Sequence, residues 1–230
     1  MLQLTIIFLS SFLFFSQVRA ELVIEITQGV DSPIQTAVVP FRIKSDRAVV
    51  LDVDISKLIQ ANLERSGYFI GTERSVMLSL PSPEDKIFYR DWRAIDSEYL
   101  VIGSIEIKGN NEIQVDFELH DVFGERQVTK FMYKPVPMQG IRDIGHAISD
   151  QIFEKLTGIR GNFQTKLLYV TVERRSEKDQ FFQLMMCDSD GGRAQEVFRN
   201  TDPILSPKWS PVDSSRFAFM SYDGKQAVIY

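Results

Sequence analysis

Apolar residues recur along this chain with two periods. Up to about residue 160, helical spacing alternates with strand spacing; beyond it only the two-residue alternation of strands remains. Leu51, Ile55, Leu58, Ile59 and Leu63 fall on one helix face, which predicts a helix from Leu51, capped by Asp52 or Asp54 and stopped by Gly67. A second long helix is predicted over 138–157. Its apolar stripe is Ile141, Ile144, Ile148, Ile152 and Leu156, and Gly158 ends it. A short helix over 87–95 carries Trp92. Strands are predicted over 34–41, closed by Pro40, and over 99–108, 112–121 and 127–133, with a turn at 109–111 between the second and third. Ile113, Val115, Phe117 and Leu119 point one way, and Gln114, Asp116, Glu118 and His120 the other, as in a half-buried antiparallel strand. Phe69 and Ile70 re-enter the core, and Pro81 and Pro83 mark a loop. Strands with two long helices on one face predict an α+β domain with a mixed or antiparallel sheet.

After Gly158 and Gly161, short strand patterns over 166–172, 181–186, 194–198, 216–221 and 226–230 are separated by polar turns, one of them the Asp223-Gly224 hairpin signal. Tandem short strands of this kind open an all-β propeller. A blade cannot bury both faces alone, so the strand begun at Gln226 predicts neighbours beyond Tyr230. The expected organisation is a signal at 1–20, an α/β domain at 21–159, and an incomplete propeller of about one and a half blades at 160–230.

The first twenty residues are of another kind. Leu4 to Phe15 is almost wholly apolar, and Val18 and Ala20 suit a signal-peptidase cut between Ala20 and Glu21. The run is too short for a comfortable membrane span. A cleaved secretory signal is expected, hence export. The freed end alternates: Glu21, Val23 and Glu25 lie on one face, Leu22, Ile24 and Ile26 on the other. Thr27, Gln28, Gly29, Val30, Asp31 and Ser32 then form a loop before Pro33. Such a terminal strand can pair with its own sheet or add to the edge of another protein.

Composition narrows the chemistry. The net charge of −5, with scattered basic residues, gives no nucleic-acid footprint. Cys187 is the one cysteine of the chain, so no internal disulfide is possible; it reads as a buried apolar thiol. The run Asp188-Ser189-Asp190-Gly191-Gly192 has the look of a calcium loop, but the twelfth position is Arg199 instead of a bidentate glutamate, so it reads as a tight turn. His120 and His146 lack metal-ligand spacing, no nucleophile or phosphate-binding motif occurs, and the acidic residues read as solvated faces. Phe181, Phe182 and Trp209 are expected to fill gaps between blades. No catalytic, metal or cofactor residues are assigned. The residues leave three readings: a non-enzymatic adaptor, a propeller-associated secreted hydrolase whose catalytic part lies elsewhere, or a purely structural secreted domain.

Several runs carry a family resemblance: Ile24 to Pro33, Ala37 to Phe41, Ala61 to Phe69, Asp91-Trp92-Arg93 before the strand at Tyr99, Lys166 to Val170, Cys187 to Gly191, and Ile204 to Pro211. In order and spacing, the chain resembles the TolB family of periplasmic propeller proteins of the Tol-Pal system. The resemblance implies an α/β domain joined to a six-bladed propeller, no enzymatic activity and no cofactor. It implies binding of TolA through residues 21–32 and of the lipoprotein Pal, among peptidoglycan-associated envelope proteins, through the propeller side. It further implies support of outer-membrane integrity and constriction at cell division, and exploitation by group A colicins in some species. The family pattern after the blade tryptophan is shorter by one residue than Trp209 to Ser215 here, so a wider turn between the same strands is expected.

Overall fold

The computed structural model describes residues 32–45, 49–176 and 180–230. The amino-terminal part contains β1 (Ile34–Val38), β2 (Arg42–Lys44), α1 (Ile55–Arg65), β3 (Phe69–Gly71), α2 (Tyr89–Arg93), β4 (Tyr99–Lys108), β5 (Glu112–Asp121), β6 (Arg126–Met132), β7 (Val136–Pro137) and α3 (Ile141–Thr157). These strands form one seven-stranded sheet of order β3-β1-β4-β5-β6, with β2 also on β4 and β7 on β5. β1 runs parallel to β3 and β4, whereas β4, β5 and β6 are antiparallel, so the sheet is mixed.

Both long helices begin later than predicted, at Ile55 instead of Leu51 and at Ile141 instead of residue 138. Asp54, and not Asp52, caps α1, its carboxylate accepting the Lys57 N–H at 3.2 Å. A 3-10 turn over Met138–Gly140 precedes α3. Both end as expected: Gly67 (φ 75°) and Gly158 (φ 72°) take the left-handed conformation that glycine adopts without a Cβ clash.

α1 and α3 pack side by side on one face of the sheet. Ile59, Leu63, Ile148 and Ile152 meet Val101, Val115, Phe117 and Leu119 there in one continuous core. The opposite face is covered as well. Trp92 of α2 closes over Ala37, Val39, Leu100, Ile102 and Val122. This cover overturns one reading of the alternation. Glu118 and His120, assigned to a solvated face, are 5% and 4% exposed, because α2 and its flanking loops lie over that side. Ile70, expected in the core, is exposed; its neighbour Phe69 is buried.

The remaining strands are β8 (Lys166–Arg174), β9 (Gln180–Asp188), β10 (Gln195–Asn200), β11 (Leu205–Trp209), β12 (Phe217–Asp223) and β13 (Gln226–Ile229). They form two three-stranded antiparallel sheets, β10-β9-β8 and β11-β12-β13. Leu184, Ile204 and Phe219 form their shared core, joined by Phe182, Phe198 and Phe217. The long turn after Trp209 still joins paired strands: Trp209 pairs with Phe217, the Ser210 N–H donates to the Arg216 carbonyl at 2.9 Å, and the register shifts by a bulge only between Leu205 and Lys208. Cys187 is buried and free. Phe182 fills the inter-sheet gap as expected, whereas Phe181 lies under the Arg175 and Arg199 guanidiniums at 5.3 and 5.7 Å. Among the described residues, no helix is long and apolar enough to cross a membrane.

Candidate functional site

The segment singled out in the sequence lies at the border of the described structure. Glu21 to Asp31, and with them the expected cut after Ala20, fall outside the described residues. Ser32 is exposed and stands just ahead of β1. The chain enters the sheet at Ile34, whose N–H donates to the Tyr68 carbonyl at 2.9 Å and which pairs with Phe69 of β3. Tyr68 in turn sets its ring edge-on against Phe153 of α3, centroids 5.3 Å apart. Ile34 thus enters the sheet where β1, β3 and the end of α1 meet.

A second constellation lies where α3 meets the first propeller sheet. The turn between β9 and β10 carries Asp188, Asp190 and Arg193; α3 carries Arg142, Asp143 and His146. The Arg142 guanidinium donates to Asp188 Oδ2 at 3.1 Å and to Asp190 Oδ2 at 2.6 Å. Arg193 donates to Asp188 Oδ2 at 2.8 Å and also bridges to Asp143. Lys166, at the start of β8, donates to the other Asp188 oxygen. The turn is tight as well as polar: a Cβ at Gly192 would collide with the Arg142 guanidinium.

The electrostatics follow from that geometry. The Asp188 side chain is only 2% exposed, and burial by itself would raise its pKa. Charge-assisted bonds from Arg193, Lys166 and Arg142 outweigh burial and hold the carboxyl well below the usual carboxylate range. Asp190 behaves alike, burial being outweighed by the Gly192 N–H and Arg142. Asp143 is lowered by its bond from Arg193, and Arg193 is raised by Asp143 and Asp188.

Behind this turn, a buried polar chain ties α3 to α1. Asn62 is fully buried; its amide donates to Ser149 Oγ at 2.9 Å and meets His146 Nδ1 at 3.0 Å. The Asn62 Oδ1 accepts from Arg65 at 2.8 Å, which fixes the amide orientation. His146 Nδ1 is thus the acceptor, and its proton sits on Nε2. That nitrogen is buried, has no hydrogen-bond partner among the described residues, and lies 3.6 Å from Asp188 Oδ2. Burial lowers the His146 pKa against the opposing pull of Asp190 and Asp188.

His146, Asp188 and Asp190 bring potential ligand atoms within 4.8 Å of one another. They do not suit a metal ion. Arg142, Arg193 and Lys166 already occupy the carboxylates, and the imidazole nitrogen facing them carries a proton instead of a lone pair.

Next to this turn, a cleft of about 650 Å³ lies between α3, the linker and the second sheet, lined in part by Gln151, Glu154, Arg160, Asn162 and Trp209. On the far side of the large sheet, Tyr89 Oη meets His120 Nδ1 at 2.9 Å, His120 Nε2 meets Glu118 at 2.9 Å, and Lys130 closes the row on Glu118 at 2.8 Å. The Tyr89 pKa is raised by burial and by the field of Glu118, so its phenol keeps its proton. This row pins α2 to β5 and β6.

The sequence did not single out Arg142, Asp143, Lys166 or Arg193, and it reads Asp188 as part of a turn. The turn is there, but its first carboxylate is buried by contact with a helix more than forty positions earlier. Excess turn acidity beside a helix bearing Arg142 was the available signal, and it has no fixed spacing.

Comparison with known proteins adds two family matches in chain order. Residues 22–128 match the TolB amino-terminal domain, and residues 153–230 match the TolB beta propeller domain. A Tol-Pal system protein TolB from Marinomonas sp. (strain MWYL1) is 43% identical over 218 residues, covering 95% of this chain and 50% of the relative. The protein of the same name from Pseudomonas fluorescens (strain Pf0-1) is 40% identical over 205 residues, covering 89% and 46%. The solved structure of TolB from Acinetobacter baumannii superimposes with a TM-score of 0.73 at 29% identity, over 89% of this chain and 48% of that one. The chain spans about half the length of the curated relatives it matches.

Proposed function

The chain belongs to the TolB family over the half of that family's length that it spans, and from that premise we propose that it is part of a non-enzymatic periplasmic adaptor of the Tol-Pal envelope system. The ordered pair of family matches, amino-terminal domain then propeller, carries this reading. In it, a signal at 1–20 exports the chain and is removed before Glu21. The freed residues 21–32 engage TolA, and the propeller side engages the outer-membrane lipoprotein Pal. Joining the two serves outer-membrane integrity and constriction at division.

The chemistry of the segment suits this role. Leu22, Ile24 and Ile26 alternate with Glu21, Val23 and Glu25 in the sequence pattern of a strand, the pattern that adds to a partner's sheet edge, main-chain bonds giving affinity and alternate side chains selectivity. Deleting residues 21–32 from the full-length exported protein should abolish binding to purified soluble TolA in calorimetry while the circular dichroism of the remainder is retained. Undiminished affinity in the deletion would defeat the assignment.

A further inference from the structure

The apolar cores of this molecule stop at the seam between its two parts. The core under α1 and α3 ends with Phe163 on the linker, set edge-on to Phe153 with centroids 5.7 Å apart. The next core, around Leu184, Ile204 and Phe219, shares no residue with it. Between them, the side-chain contacts described are ionic: Arg142 with Asp188 and Asp190, Arg193 with Asp143, and the near approach of His146 to Asp188. Ser189 adds one hydrogen bond, from its hydroxyl to the Phe163 carbonyl at 2.7 Å.

The linker is tied to α3 and then runs directly into β8. Asp150 of α3 accepts the Phe163 N–H at 2.7 Å and the Gln164 N–H at 3.3 Å, so the chain is clamped to the helix up to that point. β8 begins at Lys166. Among the described residues, two chain segments therefore fix the first sheet against α3: the short connection at residues 165–166, folded back by the Thr165 N–H and hydroxyl on the Asn162 carbonyl, which serves as the pivot, and the turn that carries Asp188. A rotation about the pivot would cost the ion pairs at the turn and leave both apolar cores intact. Polar seams of this kind are where domains move, and a pivot with one distant contact is the structural form of a hinge.

We propose that the Asp188 turn is an electrostatic latch that sets the angle of the propeller against α3, and that breaking its ion pairs releases that angle without unfolding either part. The charges are matched for this task. Asp188, Asp190 and Asp143 face Arg142, Arg193 and Lys166, so the closed latch is neutral and the open one exposes charges that water takes up. The contact is specific, because Asp188 receives bonds from both sides of the seam and from β8 at once. The latch does not depend on which partners the protein binds.

The test uses the full-length protein with spin labels on cysteines introduced at Gln127 of β6 and Val197 of β10, both exposed; Cys187 is buried and does not compete. Pulsed dipolar spectroscopy should give one narrow distance in the parent. Asp188→Asn should shift or broaden that distance by more than about 2 Å, the scale that separates domain rearrangement from local adjustment. Hydrogen exchange in α3 and β9 should stay slow. Arg142→Gln, which removes the cross-seam bonds to both Asp188 and Asp190, should produce a change in the same sense and at least as large. If Asp188→Asn unfolds the first sheet, Arg142→Gln decides alone: a broadened distance upholds the latch and a parental one overturns it. Parental distances in both variants likewise overturn it.

Discussion

Asn62 of α1 and His146 of α3 meet through a hydrogen bond of 3.0 Å that lies wholly inside the protein. Each residue carries a second duty. Asn62 also binds Ser149 and Arg65, while the other face of the His146 ring looks across the seam toward Asp188. The pair thus lies between the helix packing of the first domain and the ionic contact with the second. Buried polar networks of this kind are costly when one member is missing, because the orphaned partners stay desolvated.

Asn62→Ala is therefore expected to destabilise the first domain by about 1–3 kcal/mol, the cost of leaving buried polar groups unpaired. Urea unfolding followed by far-ultraviolet circular dichroism measures it. A variant as stable as the parent would show that Ser149 and His146 find other partners.

His146 gives the stability a pH dependence of defined sign. Burial holds its folded pKa below the ordinary value, whereas the unfolded chain takes up the proton near pH ~6.5. Between those two points the unfolded state binds more protons, so stability rises with pH there and falls on acidification through the unfolded value toward the lower folded one. In His146→Gln that part of the slope should vanish. Melting temperatures read across this range for both proteins would count against the assignment if their slopes were equal.

The start of α1 rests on Asp54. Burial would raise its pKa, but bonds from Arg74, Ser56 and the Lys57 N–H bring it down to about 2. The folded pKa lies below the unfolded one, so the contribution is complete above about pH 4 and is lost as pH falls toward the folded value. At pH 7, Asp54→Ala should cost about 0.5–2 kcal/mol. Arg74→Ala should cost less, within about 1 kcal/mol, since that ion pair is partly exposed. Equal losses for the two would mean that the ion pair, and not the cap, secures the helix.

Trp92 is the anchor of the second sheet face and is 1% exposed, yet its Nε1 has no partner among the described residues. Trp92→Ala should cost about 3–5 kcal/mol through the cavity it leaves. Trp92→Phe keeps much of the packing and removes an unpaired donor whose burial costs about 1–3 kcal/mol, so it should be clearly milder. Thermal unfolding of the two variants decides, and similar losses would point to an unrecognised partner for the indole nitrogen.

Periodicity alone determined where the long elements of this chain lie. The stripe Ile141, Ile144, Ile148, Ile152 fits one helix face, the alternation from Ile113 to Leu119 fits one strand face, and both long helices stop at glycines that take the left-handed conformation. Local order of this kind is legible because it depends on neighbours three or four residues away. The run of motifs likewise identified the family, and with it residues 21–32 as the segment to test. Tertiary structure decided what covers what. His120 and Glu118 look solvated in the alternation and are buried, because a short helix some thirty residues earlier closes over them. Asp188 looks like turn chemistry and is also the meeting point of Arg142, Lys166 and Arg193, contacts that span from five to forty-six positions of sequence. A carboxylate's environment is set by what folding brings beside it, and no local pattern encodes that.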